Sequence, residues 1–285
     1  MRNLTTPLSK FVAPLCLLMI AIGFPSVAVA QDAKDQEIAR LRQRIADLEV
    51  QVEGLRKTPA ISTATLEAEE NVKPGINDSW RSEDIGPLIG RLETESREIF
   101  TERFKLAAVI GPPPGTVIAD IGAGSGFMTN IFSRQVGTGG KVYAVDINAT
   151  MLAHVAEGAK DAGLTNVETV LCTDKSTMLP DESIDMAFIC DTYHHFEYPM
   201  NTMTSIWNAL RPGGQVILVD FYRIEGVTSD FFMEHVRAGE EVFTQEIINA
   251  GFELVNDHDV EFLNENYLLR FRKVSPPGRP AASSR

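Results

Sequence analysis

The spacing of apolar side chains changes character along the chain. Between residues 31 and 57, Ile38, Leu41, Ile45, Leu48, Val52 and Leu55 recur at intervals of 3, 4, 3, 4 and 3, a heptad seam narrower than the apolar face of a globular helix. β-Branched residues fill every a position and leucine every d, which favours parallel two-stranded coiled coils. The flanks agree, since Glu37 would face Arg42 of a second copy and Arg44 would face Glu49. The pattern predicts a coiled coil over 31–57 and a homodimer formed through it. Residues 58–79 keep neither period and contain Pro59, Pro74 and Gly75, so they read as a linker. From residue 80 onward, short β-branched apolar runs alternate with helical patterns, which argues for a parallel sheet flanked by helices. Strands are expected at 117–121, 141–147, 167–173, 184–190 and 215–221. Two more, at 252–260 and 267–273 around Asn264-Glu265-Asn266, read as an antiparallel pair closing the sheet. The expected organisation is therefore an α/β domain over 80–274, with a disordered tail over 275–285.

The first 30 residues follow another pattern. Arg2 and Lys10 precede an apolar stretch over 11–24, Gly23-Phe24-Pro25 ends its helix, and Ala28-Val29-Ala30 stands before Gln31. That is the layout of a secretory signal with an A-x-A cleavage site. The stretch is short against the roughly 20 residues needed to span a bilayer and is interrupted by Pro14, so cleavage after Ala30 is expected rather than a lasting membrane span. Cys16 lies near the front of the stretch, not where a lipid-bearing cysteine would stand. An exported, periplasmic protein is expected.

Composition and charge narrow the classes. A hydrophobic content of 44% in 285 residues is ample for a globular core. The formal charge is −13, and removing Arg2 and Lys10 with the leader takes it to −15, so nucleic acid is excluded as an expected partner. Cys172 and Cys190 each sit in an apolar run that reads as a buried parallel strand, and are expected to be small core residues.

The strongest local signal is 117–127, Val-Ile-Ala-Asp-Ile-Gly-Ala-Gly-Ser-Gly-Phe, a strand entering a glycine-rich turn that opens a helix. Glycines there let a ligand approach the backbone closely. A dinucleotide site begins in the same way, but its fingerprint wants a third glycine where Phe127 stands. Asp120 also precedes the first glycine. A carboxylate there would repel a pyrophosphate, whereas it suits a ligand carrying an ammonium, a sulfonium and no phosphate. Asp146 ends the second strand, 24 residues beyond Gly122 and next to Ile147, where a carboxylate can accept both hydroxyls of a ribose. Asp174 follows the third strand and could accept from an adenine amino group. All three acids fall at carboxyl ends of parallel strands, the edge at which open α/β sheets bind ligands.

These residues resemble the class I S-adenosylmethionine-dependent methyltransferases, in particular the group that includes the quinone-biosynthesis and small-molecule enzymes. The resemblance covers about 195 residues, 80–274. It implies that the turn Asp120, Gly122, Ala123, Gly124, Ser125, Gly126 holds the methionine part of the cofactor S-adenosylmethionine, that Asp146 and Ile147 hold the ribose, and that Asp174 meets the adenine. Residues 179–188 are similar to the family's entry into the fourth strand, and Leu210-Arg211-Pro212-Gly213-Gly214 to the turn before its fifth. A Rossmann-like seven-stranded, mostly parallel sheet of order 3-2-1-4-5-7-6 is implied. In that order Cys172 and Cys190 would stand three strand spacings apart, about 14 Å and beyond disulfide reach.

The loop Asp191-Thr192-Tyr193-His194-His195-Phe196 occupies the place where the family meets the methionine part and the methyl group, which makes Asp191 a further cofactor-binding candidate. His194 or His195 could deprotonate a substrate hydroxyl; otherwise the pair shapes the loop. The loop lacks the D/N-P-P-Y/F signature of enzymes that methylate nucleobase or glutamine nitrogens, so a small-molecule acceptor is expected. Asp191 and Asp220 end strands 4 and 5, where catechol-type methyltransferases hold magnesium, but two acids alone do not make such a site and no metal is expected. Residues 80–104, with Arg81, Glu93, Arg97 and Glu98, are expected to form a lid. Because S-adenosylmethionine is a cytosolic metabolite, export leaves a second reading of another class: an exported dimeric binding or scaffold protein with a catalytically silent methyltransferase fold. A nicotinamide-dependent oxidoreductase is disfavoured by Phe127 and Asp120, while intact Gly122, Gly124, Gly126 and Asp146 favour retained cofactor binding.

Overall fold

The computed structural model of the chain describes residues 68–95, 97–258 and 260–274, with the backbone alone at 256–258, together with the helical residues Ile38 and Arg42. The expected leader (1–30), all but those two residues of the expected coiled coil (31–57), positions 58–67 of the expected linker and the expected tail (275–285) lie outside the described residues.

Seven strands form one sheet of order β3-β2-β1-β4-β5-β7-β6, the order implied by the resemblance. Strands β1 (Val117–Ile121), β2 (Lys141–Asp146), β3 (Val167–Leu171), β4 (Ile184–Cys190) and β5 (Leu210–Phe221) pair in parallel. Strand β7 (Asn266–Lys273) inserts antiparallel between β5 and β6 (Phe252–His258). The helices that follow β1 are α4 (Phe127–Val136), α5 (Ala149–Asp161), α6 (Pro199–Ala209), α7 (Asp230–His235) and α8 (Glu240–Asn249). Ahead of β1 come a 3-10 turn (Asp78–Arg81) and the short helices α1 (Gly86–Leu92), α2 (Glu98–Thr101) and α3 (Arg103–Ile110).

The two-residue period of the strands sorts the core onto two faces. Ala119, Ile121, Ala187, Ile189, Val216 and Leu218 pack with Met203, Ile206, Phe243 and Ile247 of α6 and α8. Ile118, Val142, Met186, Phe188, Ile217 and Val219 pack with Leu106 and Ile110 of α3 and Met128 and Phe132 of α4. A strand covered on both faces reads as an unbroken apolar run, which is why β1 and β4 begin and end where the sequence places them.

Three elements depart from expectation. β3 is an edge strand in which no residue is fully buried and Leu171 is exposed, and it ends before Cys172. Cys172 therefore sits half-buried in the loop beyond the strand, not inside a buried one. The segment 210–214, expected as a turn, is the first part of β5. Leu210 pairs with Ile184 and Gln215 with Met186, so four residues on β5 bulge opposite Asp185. Gly213 (φ 77°) takes the left-handed turn within the bulge, and the Arg211 guanidinium donates to Asp185 at 2.7 Å. Residues 68–79, expected as linker, are fastened to the domain: Glu69 accepts from the amides of Met200 and Asn201 at the start of α6 (2.7 and 2.8 Å), and Val72 N donates to Glu197 O (2.9 Å). Proline and glycine mark breaks in regular structure, and a chain without regular structure can still pack through hydrogen bonds.

Candidate active site

The site forms at the carboxyl ends of β1, β2 and β4, beneath the segments that precede β1. Leaving β1, the chain turns through Gly122 at φ 73°, where a Cβ would fall 2.4 Å from the Thr192 side chain. Only glycine takes that backbone conformation in that space. The turn presents the Gly124 amide to Asp146 Oδ2 at 2.9 Å, and Asn148 N donates to Asp146 Oδ1 at 2.9 Å. Both Asp146 oxygens thus take backbone donors, and the residue lines the cleft. Burial pushes its carboxyl above the usual range, opposed by these donors. Asn148 caps α5 by accepting from the amides of Thr150 and Met151. Its amide nitrogen donates to the carbonyls of Trp80 (2.7 Å) and Ser82 (2.8 Å), which ties the segment ahead of α1 to the start of α5.

Asp120 is buried below the glycine turn and accepts from Thr129 Oγ1 at 2.6 Å. Burial pushes its carboxyl up to about 7, with the Thr129 bonds opposing and the Asp146 charge adding to the rise. Asp191 follows β4 at φ 46°, a conformation that costs a non-glycine residue on the order of 1–3 kcal/mol. It is held there by Arg97 (2.7 Å to Oδ2) and by Asn266 Nδ2 (2.6 Å to Oδ1). Asp174 stands at the rim, ion-paired with Arg81, both side chains about 40% exposed. Asp191 and Asp220, considered from the sequence as magnesium ligands, each serve protein partners: Asp220 accepts from His194.

The cleft holds about 1000 Å³, part of it open to solvent. Of the expected cofactor residues, Asp120, Gly122, Ala123, Gly124, Asp146, Ile147, Asp174 and Asp191 line it, while Ser125 and Gly126 do not. Ser125 Oγ is buried without a partner, and Gly126 serves as the N-cap of α4. The two histidines part company. His195 lines the cleft, edge-on to Trp80 with ring centroids 5.8 Å apart. His194 does not line it: its ring is buried, with Nδ1 2.8 Å from Asp220 Oδ1 and the backbone N donating to Asp220 Oδ2 at 3.2 Å. His194 is packed behind His195, because the 3-10 turn Tyr193–His195 directs successive side chains to different sides. Sequence reasoning missed Asn77, Leu92, Phe127, Thr192 and Thr202 on the cleft wall, and His235, which ends α7 with Nε2 3.4 Å from His195 Nε2. Forty residues separate those histidines, so no spacing signal links them.

Comparison with known proteins agrees with this architecture. Residues 119–218 match the family described as a methyltransferase domain. The chain is similar to the ubiquinone/menaquinone biosynthesis C-methyltransferase UbiE of Hydrogenovibrio crunogenus, 27% identical over 115 residues, which is 40% of this chain and 45% of that protein. With the protein of the same name from Hahella chejuensis it is 33% identical over 112 residues, 39% of this chain and 45% of that protein. The chain thus spans less than half the length of these relatives. Among solved structures, a SAM-dependent methyltransferase from Aquifex aeolicus superposes with a TM-score of 0.59 at 25% identity, covering 66% of this chain and 98% of that one. The [4+2]-cyclase SpnF shares the fold, with a TM-score of 0.57 at 16% identity over 75% of this chain and 98% of that one. Strand order, the inserted antiparallel strand and the matches in sequence and fold converge: the α/β domain of this chain has the Rossmann-like methyltransferase fold, and residues 119–218 within it match the methyltransferase-domain family.

Proposed function

We propose that this protein transfers a methyl group from S-adenosylmethionine to a small-molecule acceptor and does so outside the cytoplasm. The observation that carries the reading is the charge of the cleft. Four carboxylates, Asp120, Asp146, Asp174 and Asp191, line it, and Arg97, the cation on its wall, is already paired with Asp191. Such a wall fits a sulfonium with an ammonium group and repels a pyrophosphate. In this reading the Gly122–Gly126 turn and Asp120 receive the methionine part, Asp146 and Ile147 the ribose, and Asp174 the adenine. Bound there, the sulfonium supplies an electrophilic methyl carbon, and the chain's task is to align the acceptor and exclude water. Asn77, Trp80 and Leu92 close the cleft from the lid side. His195 presents its imidazole to the acceptor end, with His194 and Asp220 positioning it from behind.

Export rests on the signal pattern of 1–30, and a parallel homodimer on the heptads of 31–57. Among the described residues no helix is long and apolar enough to cross a membrane. The net negative charge argues against a nucleic-acid partner. The test is calorimetry of the chain beginning at Gln31 with S-adenosylhomocysteine, S-adenosylmethionine and NAD. Asp146→Ala is expected to weaken adenosyl binding by roughly 1–3 kcal/mol, the cost of lost hydrogen bonds to ribose. Unchanged affinity in a folded Asp146→Ala protein would remove the ribose assignment, and tighter binding of NAD would remove the reading itself.

A further inference from the structure

We propose that His194, His195 and His235 form a binding site for a divalent transition metal, zinc foremost, beside the cleft wall at His195, the one of the three that lines the cleft. Three imidazoles from two separate segments meet there, with one ligand nitrogen from each within 4.8 Å of the others. Ring centroids lie 4.4 Å apart for His194 and His195, and 5.1 Å for each of them with His235. A tetrahedral ion with bonds of about 2.0–2.1 Å separates its ligand nitrogens by roughly 3.3–3.4 Å. His195 Nε2 and His235 Nε2 already stand 3.4 Å apart, so a turn of the remaining ring closes the set.

The surroundings are those of a ligand shell. Asp220 accepts from His194 Nδ1, which fixes that tautomer and leaves Nε2 as the nitrogen with a lone pair to give, the carboxylate–histidine pairing of zinc sites. Trp80 packs edge-on to His195, Phe221 lies beside His194 and Phe231 stacks on His235 at 5.4 Å, giving an apolar wall. Lys73 donates to the carbonyls of Glu234 and His235, both at 2.7 Å, which fixes the segment bearing the third ring.

A hydrogen-bonded trio without an ion accounts for this cluster less well. The contact between His195 and His235 is long for a hydrogen bond, and His195 Nδ1 is buried with no partner.

The site deepens the methyl-transfer reading, on which only the identity of its fourth ligand rests. With three neutral ligands, one carboxylate behind them and the Lys73 ammonium close by, the fourth position favours an anion. The acceptor class is then a hydroxyl or thiol compound. Bound as the deprotonated oxygen or sulfur, with its proton lost to solvent, the acceptor attacks the methyl carbon as the carbon–sulfur bond breaks and its electron pair stays on sulfur.

The experiment uses the untagged chain from Gln31, stripped with chelator and titrated with cobalt(II). One equivalent should bind with the intense visible bands of tetrahedral cobalt, and zinc should bleach them. His195→Ala and His235→Ala should abolish the bands, Asp220→Asn should weaken binding roughly ten- to a hundredfold, and His154→Ala, on α5, should bind as the parent does. S-Adenosylhomocysteine titrated into the same samples shows that each variant is folded. No tetrahedral bands in a parent that binds S-adenosylhomocysteine would overturn the metal site, as would bands retained by His235→Ala. Bands without adenosyl binding would instead count against the methyl-transfer reading.

Discussion

Asp120 is a carboxyl almost wholly removed from water, with one hydroxyl donor to offset its burial, and its value of about 7 makes it responsive near neutrality. Its folded value lies above that of the unfolded chain, so the folded state holds the proton more tightly. The stability it confers is complete below the unfolded value near 3.8 and is lost as pH rises through 7. A cationic cofactor reverses the preference, because a sulfonium or ammonium beside Asp120 favours the carboxylate. Affinity for S-adenosylmethionine is therefore expected to rise between about pH 6 and 8, with protons released on binding. Calorimetry in two buffers of different ionisation enthalpy reads this directly. A flat profile in the parent would separate Asp120 from the cofactor's charge, and Asp120→Asn should be flat in either case. The acids of the cleft were legible in the sequence because each ends a strand whose limits are marked by apolar residues. His235 was not legible, since its meeting with His195 exists only after α7 folds back over the end of β5. The different fates of His194 and His195 were hidden for the opposite reason: adjacent residues in a 3-10 turn look equivalent on paper.

At the scale of elements, the segment 68–79 departs furthest from its expected character. Glu197, next to the histidine loop, accepts from Asn71 Nδ2 (3.0 Å), Gly75 N (3.1 Å) and Asn77 Nδ2 (3.3 Å). Asn77 donates also to His195 O at 3.0 Å. One carboxylate thus joins the segment to the loop that lines the cleft. Glu197→Ala leaves these donors without their acceptor and is expected to cost about 1–3 kcal/mol of stability. Faster hydrogen exchange at the Gly75 amide would accompany it. An unchanged melting temperature with unchanged exchange would mean that the segment is held by other contacts. Strand limits show the same division between legible and hidden. β1 and β4, covered on both faces, begin and end as expected. The edge strand β3 stops two residues early because a single covered face gives a weaker pattern. The bulge at 210–214 resembled a turn because Pro212-Gly213-Gly214 is turn chemistry, whether it lies between strands or inside one.

For the whole molecule, the seam of 31–57 and the fastening of 68–79 make separable demands. A chain starting at Ala68 keeps the fastened segment and lacks the seam; it is expected to be monomeric in light scattering and to bind S-adenosylhomocysteine as the longer chain does. A start at Trp80 would remove Glu69, Asn71, Lys73 and Asn77 with their bonds, and should be less stable. Leu48→Lys places a charge in the seam and should separate the proposed dimer at micromolar concentration; a variant that stays dimeric would move the interface onto the α/β domains. The sheet's inserted strand bears on how such a chain is made. Among the described strands β7 is the last to be synthesised, yet it lies inside the sheet and pairs with both β5 and β6. Until it emerges, β5 has a bare edge and β6 has no neighbour, so the earlier strands cannot complete the native sheet. The order of synthesis thereby postpones closure of the sheet until Lys273 has been made, and delayed closure of that kind would favour passage of an unfolded chain through a narrow channel, as the proposed export requires.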